Sequence, residues 1–164
     1  MHKVIGLLSV LLVALSAVSA RADIRDLDIL SSHMPVLGTI NEAKDNCWTN
    51  ESAVKNAAEL SLRRAYDEVH FYRKDLFSSL NKPFYFLNIN VHTARTESGL
   101  CFGNYEVNAY IILEALEDLR VVSLFKRGGI AISPQDLNDS IRSYVQETLD
   151  ELALEVLRYR SKQN

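Results

Sequence analysis

The residues from Phe84 to Arg95 alternate in polarity, and this pattern constrains the fold more strongly than any other stretch of the sequence. The apolar positions of the alternation are Tyr85, Leu87, Ile89 and Val91. The positions between them are Phe84, Phe86, Asn88, Asn90 and His92. Since successive side chains of a β-strand point to opposite faces, the stretch predicts a strand with one buried face and one mixed face. The chain must therefore form a sheet whose two faces differ.

Two further apolar stretches extend this sheet. A turn signal at residues 96–99 joins the first strand to a second one from Cys101 to Ile112, as an antiparallel hairpin. Another strand is predicted from Arg120 to Arg127, and the pair Gly128-Gly129 favours a tight turn into a short last strand. Residues 113–119 fit neither pattern, and their structure stays open. The sequence thus predicts an antiparallel sheet of three to four strands.

Amphipathic helices are predicted before and after the strands. From about Glu51 to Leu80, apolar residues recur at steps of three and four, which marks one stripe of a long helix, and Pro83 ends it. Ser133-Pro134 begins a second long helix that has a similar stripe. Because each helix has a single apolar stripe, both are expected to pack on one face of the sheet. The predicted fold class is α+β, with two long amphipathic helices on an antiparallel sheet.

The first residues have the pattern of a cleaved signal peptide. A short basic start at residues 1–3 precedes an apolar run up to Val18, and small residues then satisfy the signal-peptidase rule before Arg21 or Asp23. An uncleaved membrane anchor is the less favoured alternative, because the run contains serines and falls short of the ~20 apolar residues that span a bilayer. We therefore predict export, with no stable membrane anchor after cleavage.

The remaining chain is expected to form one domain and an arm. Residues 1–22 are the predicted signal peptide, and residues 23–50 show no helical or strand periodicity over a useful length. We predict an irregular arm at residues 23–50 that packs on a single α+β domain at residues 51–164. A mature chain of about 140 residues has the typical size of one domain and can bury a core of its own.

Cys47 and Cys101 are the two cysteines of the sequence. Because exported proteins meet oxidising conditions, we predict that they form a disulfide. The bond would close a loop of about 55 residues and stabilise the fold by ~4 kcal/mol on the chain-entropy model. A reactive thiol or a metal pair is less favoured, since neither cysteine has the nearby His or second Cys that such chemistry uses.

The charge of the chain disfavours nucleic acid as a partner. The sequence has 18 basic and 21 acidic residues, and removal of residues 1–22 would delete Lys3 and Arg21 but no acid. Proteins that bind phosphate backbones use a basic patch, whereas the basic residues here are scattered among acids. An acidic exported chain is expected in the periplasm of a bacterium or outside the cell.

Histidines are the candidates for an enzymatic site. His70 follows Asp67 and Glu68 on the predicted first helix, His92 lies on the mixed face of the predicted strand, and His33 lies in the arm. A small hydrolase or other enzyme centred on His70 or His92 is the alternative functional hypothesis. Because no His, Cys or carboxylate pair has the compact spacing of a zinc or calcium motif, we expect no metal and no cofactor.

Two surfaces are candidates for binding. The first is the mixed face of the predicted strand, which consists of Phe84, Phe86, Asn88, Asn90 and His92. It stays open if the helices cover the other face, unless the arm covers it. The second is an acidic row on the last helix, Glu147, Asp150, Glu151 and Glu155, whose pattern is typical of a solvated face. The preferred hypothesis is a non-enzymatic envelope protein that binds a protein or an envelope component through its sheet face or an edge strand.

Overall fold

The computed structural model of the chain describes residues 24, 26–76, 80–115 and 118–164. The predicted signal peptide lies outside the described residues. The helices are α1 (Leu27–Ser32), α2 (Glu51–Leu62) and α3 (Asn138–Gln163). The strands are β1 (Met34–Ala43), β2 (His70–Phe71), β3 (Phe84–Arg95), β4 (Cys101–Ala115) and β5 (Asp118–Ser133).

The described strands form one mixed sheet in the order β2-β1-β3-β4-β5. β1 pairs parallel with β2 and with β3, whereas β4 pairs antiparallel with β3 and β5. The prediction of a purely antiparallel sheet of three to four strands is therefore wrong. The added strands come from residues 34–43, inside the predicted arm, and residues 70–71, inside the predicted first helix. Since residues 34–37 are all buried, β1 begins as the continuous apolar run of a parallel strand rather than as an alternating one.

Helix α2 ends at Leu62, so the prediction of one long helix to Leu80 is also wrong. Past this point Tyr66 is buried and its hydroxyl donates a hydrogen bond to the carbonyl of Leu30 at 2.8 Å. The hydroxyl of Tyr85 in turn donates to the hydroxyl of Tyr66 at 3.0 Å. Ala65, Tyr66 and Val69 thus reach the core from an irregular segment, because tertiary contacts outweigh the helical pattern there.

The glycine pair predicted to form a tight turn lies inside β5. Gly128 and Gly129 face Glu106 and Tyr105 of β4, so the predicted short last strand is part of β5. A Cβ atom on Gly129 would lie 2.9 Å from the ring of Tyr105, and the missing side chain therefore makes room for this ring. Here glycine permits a close approach between neighbouring strands and does not provide a turn.

The core lies between the helices and one face of the sheet. On β3 the buried residues alternate with half-buried ones, and Tyr85, Leu87, Ile89 and Val91 are fully buried. They form one hydrophobic cluster with residues from every described helix, such as Leu30, Val54 and Ile141. The three described helices therefore lie on the same side of the sheet.

Cys47 and Cys101 are joined by a disulfide with a Cα–Cα distance of 5.4 Å, as the sequence predicted. Cys47 precedes α2 and Cys101 begins β4, and both are fully buried. The N–H of Leu137 donates to the carbonyl of Cys47 at 2.8 Å, immediately before α3. The Oδ1 atom of Asn138 accepts hydrogen bonds from the N–H groups of Thr49 at 3.0 Å and Asn50 at 3.1 Å. The bond therefore connects the entrances of both longer helices to the start of β4.

Candidate functional site

The candidate site is the face of the sheet opposite the helices, which we call the open face. Strand register places the five predicted binding residues on it: Phe84, Phe86, Asn88, Asn90 and His92. The neighbours that β1 and β4 contribute are Met34 and Val36, which are buried, and Gly38, Ile40, Glu42, Phe102, Asn104, Glu106, Asn108, Tyr110 and Ile112. β5 adds Val121, Ser123, Lys126, Gly128, Ile130 and Ile132. Because β1 joins the sheet, this part of the predicted arm borders the open face and does not cover it.

Polar side chains occupy the middle of the open face. The Nδ2 atom of Asn88 donates to the hydroxyl of Tyr110 at 3.2 Å, and Lys126 forms an ion pair with Glu106 at 2.8 Å. Gly38 lies beside Asn88, and a Cβ atom there would be 2.6 Å from the Oδ1 of Asn88. These contacts orient the side chains on a surface that remains open to solvent.

Aromatic rings form one end of the open face. Phe86 stacks on Tyr110 with ring centroids 5.2 Å apart and planes 18° from parallel. Phe84 meets Phe86 edge to face at 5.4 Å. Ile112 extends this apolar end towards solvent with 45% of its surface exposed. The packing of the rings on one another gives this end a fixed shape.

The other end of the open face also carries exposed apolar side chains. Phe102 is 46% exposed, Ile132 is 66% exposed and Ile130 is 79% exposed. A shallow cavity of about 410 Å³ lies between Phe102, Ile130 and His92, whose Nδ1 atom is 2.9 Å from the Oε2 of Glu42. Scattered exposed apolar residues are ordinary, whereas Phe102, Ile130 and Ile132 neighbour one another on adjacent strands and form an exposed apolar patch.

A second cavity of about 570 Å³ lies where β2 ends beside β1. Its wall includes Glu51, which accepts hydrogen bonds from Thr39 and pairs with Lys55 at 2.7 Å. The hydrogen bonds from Lys55 and Thr39 hold the pKa of the Glu51 carboxyl below its usual value. This carboxylate is therefore charged at neutral pH and already satisfied within the protein.

The histidines do not form a nucleophile–base arrangement among the described residues. His70 lies 3.5 Å from Glu68, whose carboxylate is also paired with Lys82 at 2.7 Å. His33 contacts the hydroxyl of the adjacent Ser32 at 3.0 Å, but that hydroxyl donates to the carbonyl of Asp28 at 2.6 Å. Nucleophilic catalysis requires a base free to accept the proton of the nucleophile. The hypothesis of a histidine-centred enzyme gains no geometric support from these contacts.

The acidic row on α3 is largely neutralised by basic partners. Asp150 pairs with Arg64 at 3.2 Å, Glu155 pairs with Arg158 at 2.6 Å, and Glu151 pairs with the buried Arg127. Within the described ranges, no group of three or more His, Cys, Asp and Glu residues is placed to hold a metal ion. The helices described here also include none that is both long and apolar enough to cross a membrane.

Sequence reasoning missed the exposed apolar side chains at the end of the open face that holds Phe102, Ile130 and Ile132. Phe102 alternates with buried residues of β4, so the signal was present in the second predicted strand. A tight turn at the glycine pair would pair Ile130 and Ile132 with residues 120–127 instead of with the strand that contains Phe102. The register of β5, which sets Ile132 opposite Phe102 and Ile130 opposite Asn104, brings these residues together.

Comparison with known proteins identifies a similar fold. No family model matches the sequence, and no curated protein matches it. Among solved structures, the chain is similar to the PelC dodecamer from Paraburkholderia phytofirmans, with a TM-score of 0.54 and 13% sequence identity, over 81% of this chain and 95% of that chain. A variant of the same dodecamer aligns with a TM-score of 0.46 and 12% identity, over 73% of this chain and 85% of that chain. At 13% identity, the similarity to the first structure shows a shared fold.

Proposed function

We propose that the mature chain is an exported, non-enzymatic protein that binds a protein or a component of the bacterial envelope through the open face of its sheet. The observation that supports this most directly is the exposure of Phe102, Ile130 and Ile132 on neighbouring strands. Burial of apolar surface is favourable by about 25 cal/mol per Å², so an uncovered cluster of large apolar side chains is a source of binding energy.

The buried disulfide supports the proposed location. Structural disulfides form and persist in oxidising compartments, and the bond between Cys47 and Cys101 lies at the junction of both longer helices with the sheet. A disulfide in this position agrees with the signal peptide predicted at residues 1–22. Together they favour a periplasmic or secreted protein.

A second candidate function is assembly into a homo-oligomer. It is favoured by the shared fold, because the similar PelC structure is a dodecamer. An oligomer and a partner-binding protein are compatible, since one region of the open face can contact a second copy while another region contacts a different molecule.

Binding to the open face is tested with two matched substitutions. Phe102 on the open face is 46% exposed, and Leu154 on the outer side of α3 is 45% exposed. The mature protein, Phe102→Ser and Leu154→Ser are each immobilised and incubated with envelope extract, and retained material is quantified. We expect a stoichiometric component that is retained by the unsubstituted protein and Leu154→Ser but lost by Phe102→Ser. Equal retention by both variants, with unchanged melting temperatures, would reject the open face as the binding surface.

A further inference from the structure

Among the described residues, strand β5 leaves one edge of the sheet unpaired. It is the last strand in the sheet order, and its residues from Asp118 to Ser133 pair with β4 on one side only. Long apolar edge strands are templates for pairing with another chain, and proteins normally protect them. The β5 edge is therefore a candidate surface for association with another chain.

Hydrogen bonds at the two ends of β3 determine which backbone groups point outward from the sheet. The N–H of Met34 donates to the carbonyl of Pro83 at 3.0 Å, and the N–H of Lys44 donates to the carbonyl of Thr93 at 2.9 Å. Because backbone groups alternate in direction along a strand, even-numbered residues of β3 bond to β4. The register then makes odd-numbered residues of β4 bond to β5, as in the pair Gly103 and Ala131.

The β5 residues between these bonded pairs direct their backbone groups to the free edge. Gly128, Ile130 and Ile132 have this orientation, and their side chains lie on the open face. The nearby ammonium group of Lys126 is paired with Glu106 at 2.8 Å. The segment from Lys126 to Ser133 thus combines outward N–H and C=O groups with exposed isoleucines and a neutralised lysine.

The opposite edge of the sheet is largely closed. β2 pairs with Val36 and Leu37 of β1. Further along, the Oδ1 of Asn41 accepts a hydrogen bond from the N–H of Ala43 at 2.9 Å, which satisfies an outward backbone donor. Between these two closures β1 retains only a few outward groups, around Thr39 and Asn41. This short segment is a poor partner for β5 of another copy.

We propose that the β5 edge from Lys126 to Ser133 pairs antiparallel with the same edge of a second copy around a two-fold axis. Hydrogen-bonded residues of an antiparallel pair place their side chains on the same face, so Ile130 and Ile132 of both copies come together on one continuous open face. The helices of both copies then lie on the same side. The bulge in β5 beside Ala109 and Tyr110 bends the strand and limits pairing to this segment.

This inference rests on the homo-oligomeric candidate function, because it names the surface through which copies associate. A two-fold contact uses the same patch on both copies, so a dimer or an even-numbered assembly built from dimers is expected. Because affinity does not follow from the buried area alone, the assembly is measured over a wide range of protein concentrations.

The test compares Ile130→Lys with Leu157→Lys, a control on the outer side of α3 at a residue that is 40% exposed. Sedimentation equilibrium of the mature protein is expected to show even-numbered assemblies. Ile130→Lys places like charges together across the two-fold axis and should raise the dissociation constant about tenfold or more, whereas Leu157→Lys should leave it unchanged. Assembly of Ile130→Lys with an unchanged dissociation constant would reject the β5 edge as the interface but not the homo-oligomer itself. A mature protein that is monomeric at all concentrations would reject both proposals.

Hydrogen–deuterium exchange of the unsubstituted protein provides an independent readout. The amides of Ile130 and Ile132 point to the free edge and should exchange rapidly in the monomer. At concentrations that favour assembly their exchange should slow, because they become donors in the intermolecular ladder. Equal exchange rates at low and high protein concentration in an assembling sample would overturn the proposed pairing.

Discussion

Loss of the disulfide should remove a large share of the stability of the fold. The bond joins residues that are 54 positions apart, and the chain-entropy model gives ~4 kcal/mol for a loop of this length. For a domain of this size, 1 kcal/mol corresponds to roughly 3 °C in melting temperature, so reduction or the Cys47→Ser/Cys101→Ser variant should lower the Tm by roughly 10 °C. The hydrogen bond from Leu137 to the carbonyl of Cys47 remains available after reduction, so the loss is expected to come mainly from the larger freedom of the unfolded chain.

The assay is thermal unfolding followed by circular dichroism, with and without reductant, together with thiol titration under denaturing conditions. Trp48, which is buried beside Cys47, provides a local fluorescence signal for loosening of this junction. The double-serine variant is the control, because its Tm should not respond to reductant. Two titratable thiols in protein purified from its native compartment would refute the bond, and an unchanged Tm after complete reduction would refute its stabilising role.

Two further predictions concern close packing and a buried hydroxyl. Gly103→Ala should destabilise the fold by about 1–3 kcal/mol in urea unfolding, because its Cβ would lie 2.6 Å from a backbone carbonyl oxygen of β3. Gly38→Ala should destabilise the fold less, because the Asn88 side chain can rotate away. Equal destabilisation by the two variants would show that β3 and β4 are not this close. Burial raises the pKa of Tyr66 to about 12 from an ordinary value of 10.0, so the folded state holds the hydroxyl proton more tightly than the unfolded state. The stability that this proton contributes is present below pH 10 and is lost as the pH rises from about 10 to about 12. Tyr66→Phe should lower the free energy of unfolding by about 1–3 kcal/mol at neutral pH, because the hydrogen bond to the Leu30 carbonyl is lost. The difference in stability between this variant and the unsubstituted protein should shrink above pH 10, and a difference independent of pH would contradict the assigned burial.

The residues that define the binding hypothesis were accessible to sequence reasoning, because β3 alternates strictly between the two faces. Strand β1 could not be predicted from the sequence, because it lacks such alternation. Its buried run Met34 to Leu37 does not alternate, and Pro35 and Gly38 indicate a break rather than a strand. By the alternation of backbone direction, Pro35 faces away from β3, so its missing N–H leaves the β1–β3 ladder intact. A proline in a strand is tolerated at such a position, and the sequence alone does not reveal the position.

The long predicted helix shows a second limit of sequence patterns. Apolar spacing of three and four continues from Leu62 to Val69 and Leu76, and all three residues are buried. Burial is thus predicted at these three positions but not at Tyr72, which continues the same spacing and is 53% exposed. The conformation is not predicted, since an irregular segment and β2 follow Leu62. The exposed cluster of Phe102, Ile130 and Ile132 was missed through a related ambiguity, because a glycine pair is compatible with both a turn and a close approach of two strands.

The central claim, that the open face is the working surface of the protein, is tested most directly by crosslinking in the native compartment. A photoreactive amino acid is placed at Asn104, which is exposed on the open face, two residues from Phe102 and opposite Ile130. In a separate variant it is placed at Ser143, which is exposed on α3. We predict discrete crosslinked species from position 104 and none from position 143. Crosslinks from position 143 alone, with both variants folded and exported, would contradict the account.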